Sequence, residues 1–345
     1  MNKLSLAVSA GLFVVAGTAQ ARDNIEVVGS STVFPFSTVV AEAYAKKTGN
    51  PAPKVESTGS GGGMKLFCDG TGINTPDITN SSRRIKSSEL EKCAANGVSP
   101  VEVKVGYDGI AFANSKKGDV FKLTRKDIFM ALAKDVPVKE GDQDKLVPNP
   151  YKMWNEVNAD LPAIKIEVLG PPPTSGTRDA FAELALEGGC KKIDWVNALK
   201  KSDSAKYKEI CHTVREDGHY IEAGENDNLI VQKLEANPNA LGIFGFSFLD
   251  QNADKVQGSE IDGVAISFDN IAAGDYPVSR PLYFYVKKEH IGTVKGIEEF
   301  VAEFTNEATW GEDGYLADKG MIPMPEEERK LFGDAVKNMT VLKSM

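Results

Sequence analysis

Apolar positions along the chain fall into two rhythms. Short runs alternate at period two, and each is followed by a polar turn and then by apolar residues at helical spacing. Ile25–Val28 is the first such run. Gly29-Ser-Ser-Thr-Val33 turns the chain, and Phe36, Val39, Val40, Ala43 and Tyr44 share one helical face, with Pro35 suited to the first turn. Lys54–Ser57 repeats the pattern, followed by Thr58-Gly-Ser-Gly-Gly-Gly63 and a short helix beginning near Met64. Asp77–Thr79 is the third run, followed by Asn80-Ser-Ser-Arg-Arg84 and a helix opened by Ser88-x-x-Glu91. Ile164–Leu169 is another. It leads through Gly170-Pro-Pro-Pro-Thr-Ser-Gly-Thr-Arg178 into a helix over 179–187, with Ala180, Phe181, Leu184 and Ala185 on one face.

Between and after these units the pattern predicts further elements. Val101–Val105 alternates, breaks at Gly106–Gly109 and resumes over Ile110–Ala113. A helix over Arg125–Ala133 is capped by Thr124-x-x-Asp127, and a short helical piece carries Trp154. Charge and Pro/Gly punctuation predict a loop over Lys134–Asn149, and 203–225 reads as irregular. Helices are expected over Ile193–Lys200, Asn226–Ala236, Ile297–Phe304 and Glu326–Val336. Strands are expected over Ala240–Phe246, Ala265–Phe268 and Leu282–Val286. Strands alternating with helices over this length predict an α/β fold with mainly parallel sheets.

The first residues do not belong to that pattern. Lys3, a short apolar stretch over Leu4–Val15 and Ala19-Gln20-Ala21 have the build of an export signal cleaved after Ala21. The apolar stretch is too short for a membrane span. The chain beyond Ala21 is long enough for two domains. The formal charge is −9, and one unit more negative without Lys3, which argues against nucleic acid and against anionic membrane surfaces as partners. The four cysteines, in an exported chain, read as two disulfides. The simplest of three connectivities pairs Cys68 with Cys93 and Cys190 with Cys211. Their spacing fits no zinc pattern, and no metal or cofactor is expected.

The candidate chemistry lies in the turns. A strand that ends in a Ser/Thr/Gly turn and enters a helix presents free backbone N–H groups at the positive end of the helix dipole, which favours an anion. Glycines permit close backbone approach. Arg178 adds a guanidinium with bidentate geometry suited to an oxyanion, and Arg83 stands at another strand end. The glycine run is not a P-loop, since Lys65 follows Met64 and Leu66 takes the Ser/Thr place. There is no Gly-x-Ser-x-Gly elbow and no His-Glu-x-x-His. The three histidines read as surface or structural groups.

Taken in order, seven segments resemble the PstS-type periplasmic phosphate-binding proteins, the substrate-binding components of ABC phosphate transporters. They are Gly29–Pro35, Thr58–Lys65, Asp77–Arg83, Tyr107–Ile110, Leu123–Phe129, Thr174–Arg178 and Tyr276–Pro281. The resemblance covers essentially the whole mature chain. It implies a type II periplasmic binding protein, with two lobes joined by two hinge crossovers and closing on the anion. One lobe would be 22–105 plus 278–345, and the other 106–277. Position by position it implies contacts from Ser31, Thr32 and Val33, from Ser60, and from Ser175, Gly176 and Thr177.

Two departures from the family pattern bear on the ligand. Ser82 stands where the better-known branch has a carboxylate, and prolines 171–173 stand where it has an arginine. Arg178 and Arg83 would then supply the charge. A carboxylate acceptor favours monohydrogen phosphate, which retains a proton, over sulfate, which does not. Asp108 is the candidate replacement, the other reading being that it stabilises the turn before Gly109. The implied protein is a periplasmic monomer that delivers inorganic phosphate to inner-membrane ABC permease subunits. The alternatives are another oxyanion (sulfate, molybdate or a phosphonate), an exported phosphatase or hydrolase, or an interaction protein retaining the fold without the ligand.

Overall fold

The computed structural model describes residues 22, 24–141, 143–173, 175–224 and 227–344. The expected export signal, together with Thr174 of the Ser-Gly-Thr segment, lies outside the described residues. A single path of strands runs through the molecule. Its order is Lys54–Ser57, Glu26–Gly29, Ile78–Ser81, Ser279–Lys287, Pro100–Ser115, Leu241–Gly245, Val168–Gly170 and Tyr220–Glu222. Pairing is parallel at both ends of this path, among the strands that carry the polar turns. It is antiparallel where Ser279–Lys287 and Pro100–Ser115 join the two ends.

Pro100–Ser115 explains the two-lobed form. Its first part, Pro100–Gly109, pairs with Ser279–Lys287 in one half of the sheet, and Ile110–Ala113 pair with Leu241–Gly245 in the other. The break expected at Gly106–Gly109 is therefore a continuous strand in transit between lobes. Gly106 is still required there, because a Cβ would come within 2.7 Å of the Ile322 carbonyl oxygen.

Helices cover both halves because their apolar faces have a sheet to meet. Phe34–Thr48 buries Phe36, Val40 and Tyr44 and ends at Gly49 with φ 74°, a conformation that glycine adopts without strain. Each such aromatic or branched side chain stabilises the fold by roughly 1.5–3 kcal/mol through the area removed from water. Tyr44 meets Phe300 of Ile297–Phe304 edge-on, with ring centroids 5.8 Å apart. Arg125–Leu132 has its expected cap, the Asp127 N–H donating to Thr124 Oγ1 at 3.0 Å. Both local disulfides form, Cys68–Cys93 and Cys190–Cys211.

Several expectations are corrected. Residues 134–149 contain a hairpin, Asp135–Glu140 paired with Gln143–Pro148. Its charged residues are a solvated face, and Gly141 at φ 65° makes the turn. The stretch 203–225 contains the helix Ser204–His212, whose Tyr207, Ile210 and Cys211 are buried at helical spacing among lysines, and the strand Tyr220–Glu222. Ala265–Phe268 is not a strand but leads into the helix Phe268–Ala272, where Ser267 accepts from the Asn270 N–H at 3.2 Å. The helix after Arg84 starts earlier than expected, at Ser87, and Glu89 rather than Glu91 accepts from the N-terminal Lys86 N–H at 2.9 Å. Among the described residues no helix is long and apolar enough to cross a membrane.

Candidate functional site

The carboxyl ends of the parallel strands meet at a cleft between the lobes, the usual ligand position for an open α/β sheet. The cleft holds a cavity of about 540 Å³. From one side Ser31 and Thr32 of the first turn line it. From the other come Ser175, Gly176 and Thr177, and Asp108 of the crossing strand forms part of the wall. The two turns are in contact: a Cβ on Gly176 would lie 3.4 Å from the Thr32 Cα. Val33 is fully buried behind the first turn, its N–H directed at Ser30 Oγ at 3.4 Å. Ser175 caps its own helix, accepting from the Thr177 N–H at 3.2 Å.

Ser60 and Ser82 form a separate pair. Their hydroxyls are 3.1 Å apart, and the Ser82 N–H donates to Ser60 Oγ at 3.1 Å. They are not among the residues that line the cavity. The glycine run beside Ser60 also serves packing. A Cβ on Gly63 would come within 2.5 Å of the Gly29 Cα, so this glycine lets the helix Ser60–Phe67 lie on the first strand.

The arginines divide in a way the sequence did not indicate. Arg83 is held in a two-pronged pair by Glu89, at 2.9 and 2.7 Å. That pair raises Arg83 further above the ordinary guanidinium range, with a smaller contribution from Glu183. Arg178 donates to the Pro171 carbonyl at 3.1 Å and stacks 4.6 Å from the Tyr220 ring centroid. Its guanidinium thus braces the Ser-Gly-Thr turn from behind. The Tyr220 hydroxyl donates to the same carbonyl at 2.8 Å, and burial pushes that phenol up to about 12.

The guanidinium at the cleft belongs to Arg280. Register places it directly across from Asp108 on the crossing strands. It donates to Thr32 Oγ1 at 2.6 Å and to Glu183 at 2.5 Å, and its Nε approaches Asp108 Oδ2 at 3.4 Å. Arg280 stood inside the Tyr276–Pro281 segment, but nothing local marked its side chain as part of the site. Burial pushes the Asp108 carboxyl above the usual carboxylate range; Arg280 opposes that shift and Glu183 adds to it. Lys319, exposed at the rim, also lines the cavity. Across the cleft, Ser31 Oγ donates to Asp179 Oδ2 at 2.7 Å.

The histidines are built into the lobes. His212 pairs with Glu187 at 2.8 Å, His219 Nδ1 lies 2.7 Å from the Ile166 carbonyl, and His290 is buried against Asp77 at 2.6 Å. Among the described residues no group of three or more His, Cys, Asp or Glu is placed to hold a metal ion.

The architecture has known counterparts. A family model for the PBP superfamily domain matches residues 14–308. The chain is 29% identical over 326 residues to protein SphX of Synechococcus elongatus, covering 92% of this chain and 83% of that one. It is 26% identical over 320 residues to the phosphate-binding protein PstS of Staphylococcus saprophyticus, covering 91% and 84% respectively. A solved structure of a possible phosphate binding protein from Planctomyces limnophilus superposes with a TM-score of 0.69 at 26% identity, over 92% of this chain and 98% of the other. A family match of that length, on a fold whose crossing strands bring both halves to one cleft, makes this chain a member of the PBP superfamily.

Proposed function

We propose that the protein binds inorganic phosphate in the interlobe cleft and delivers it to the permease subunits of an inner-membrane ABC transporter. It acts as an exported, monomeric binding component and not as an enzyme. The observation that carries this reading is Arg280 behind the cavity wall, joined to Thr32 of the first turn, to Asp108, and to Glu183 on the helical stretch that follows the second turn. A guanidinium held against Thr32 and Asp108 is oriented before any ligand arrives, so little ordering entropy is lost when it binds an oxyanion. The Ser31, Thr32 and Thr177 hydroxyls supply neutral donors around it. Ser175, Gly176 and Val33 contribute turn backbone, and Arg178 fixes the second turn. Ser60, Ser82 and Arg83, which stand beside the cavity and not in its wall, complete the proposed contact set on the first lobe. Two relatives whose names contain phosphate binding support the ligand class, and the export signal read over residues 1–21 supports a periplasmic location.

Closure would turn about the crossing strands, across the transit segment Gly106–Ile110 and at Val278–Ser279. The moving bodies are 22–105 with 278–345 on one side and 106–277 on the other. Asp108 is the acceptor that separates phosphate from sulfate: it lines the cavity and its side chain is only 15% exposed. A carboxylate there accepts the proton of monohydrogen phosphate through the oxygen that Arg280 does not approach, whereas sulfate offers that oxygen no proton.

The test is calorimetric titration of ligand-stripped protein with phosphate, with sulfate as competitor, on wild type and on Asp108→Asn. Phosphate binding indifferent to excess sulfate, with that indifference lost in the variant, is the expected result. Equal binding of both anions by wild type would replace phosphate with a general oxyanion, a reading that Ser82, standing in place of a carboxylate, favours. Heat from neither anion would end the proposal.

A further inference from the structure

The cleft is bridged by the protein's own charges. Asp179 and Glu183 stand four residues apart on the helical stretch after the Ser-Gly-Thr turn, a spacing that puts both on one face. Both reach into the other half of the molecule. Asp179 accepts from the Ser31 hydroxyl, and Glu183 accepts from Arg280. The donors they take are those that an oxyanion would need.

We propose that Asp179 and Glu183 are internal anions that hold the ligand-free cleft closed, and that the incoming ligand anion displaces them. They would thereby set its affinity. The proposal rests on the anion-binding reading of the cleft.

Exposure decides which carboxylates leave. Three carboxylates (Asp108, Asp179 and Glu183) face two donors, Arg280 and Ser31. The Glu183 side chain is 51% exposed, so water recovers most of what its ion pair loses on breaking. Asp108 is enclosed by the crossing strands, and an isolated buried charge there would be costly, so it stays with Arg280 and keeps the guanidinium oriented. Asp179 exchanges a single hydroxyl bond, which Ser31 regains from the ligand. The latched state and the ligand-bound state thus use the same donors and exclude one another. A competing closed state of this kind lowers apparent affinity by the fraction of molecules it holds.

The experiment uses the mature protein, with Glu183→Gln, Asp179→Asn and the double variant. Small-angle scattering reads lobe closure without ligand, and calorimetry with inorganic phosphate reads affinity. The ligand-free variants are expected to show a larger radius of gyration than wild type, and the phosphate-bound radii are expected to coincide. Phosphate binding should tighten by about three- to tenfold in the double variant. Weaker binding in Glu183→Gln would overturn the proposal, because Glu183 would then be a contact of the bound anion. Unchanged ligand-free scattering in the double variant would also overturn it. If wild type shows no phosphate heat, the phosphate reading fails while the scattering comparison still decides the latch.

Discussion

Two charged clusters in this molecule use similar groups for opposite ends. Beneath the first lobe, Asp77 is fully buried and accepts from the Arg22 guanidinium, from the Glu26 N–H at 2.7 Å and from His290 at 2.6 Å. Lys287, equally buried, donates to the Gly70 carbonyl at 2.7 Å and to Thr75 Oγ1 at 2.5 Å. Every one of these partners belongs to the first lobe, so no lobe motion separates them. In the cleft, Arg280 and Ser31 meet carboxylates of the opposite lobe, one of them half in water. A pair inside one rigid body acts as structure. A pair that spans a hinge is exchangeable with a ligand and with solvent.

The largest effect that would sharpen this contrast is on stability. Asp77→Ala leaves the buried His290 without its carboxylate and Arg22 with Glu26 alone, and is expected to cost about 3–5 kcal/mol in urea unfolding, with phosphate affinity of the folded protein retained. A loss near zero would break the comparison, since the cluster would then be no more structural than the cleft.

Next comes binding. Arg280→Ala should weaken phosphate binding by about 2–3 kcal/mol, as for a lost charge-assisted bond, with a smaller change in unfolding midpoint. Arg178→Ala should cost less than about 1 kcal/mol of binding, because its guanidinium is spent on Pro171 and Tyr220. Calorimetry that ranks the two arginines the other way would return the charge to Arg178.

The smallest effect is a pH dependence. Burial lowers Lys287 from its ordinary value of 10.5 to about 8. Between those two values the unfolded chain holds a proton that the folded one has released, so stability rises with pH across that window. Below it the desolvation cost is present in full. Wild type minus Lys287→Met should show stability that rises with pH over this range in denaturant midpoints. A flat difference would mean that the two Lys287 hydrogen bonds offset its burial.

Some of this was legible in the chain alone. The polar turns at strand ends, the Thr124–Asp127 cap, the helix Ile297–Phe304 and the two local disulfides all depend on residues near one another in sequence. The hairpin at 135–148 was not legible. Charged residues on a solvated strand face resemble a loop until a partner strand is known. The helix Ser204–His212 was obscured in the same way by its lysines.

The α/β alternation and the gathering of hydroxyls and glycines at strand ends were written into the order of residues, because hydrogen bonding in turns and caps is local. The destination of each charge was left to the folded arrangement. Arg178 turns back because Tyr220, a residue of a distant strand, lies behind its turn. Arg280 faces the cleft because the antiparallel register of two crossing strands sets it opposite Asp108, 172 residues away. Coulomb attraction depends on separation in space, and no pattern along the chain encodes that separation for groups so far apart in sequence.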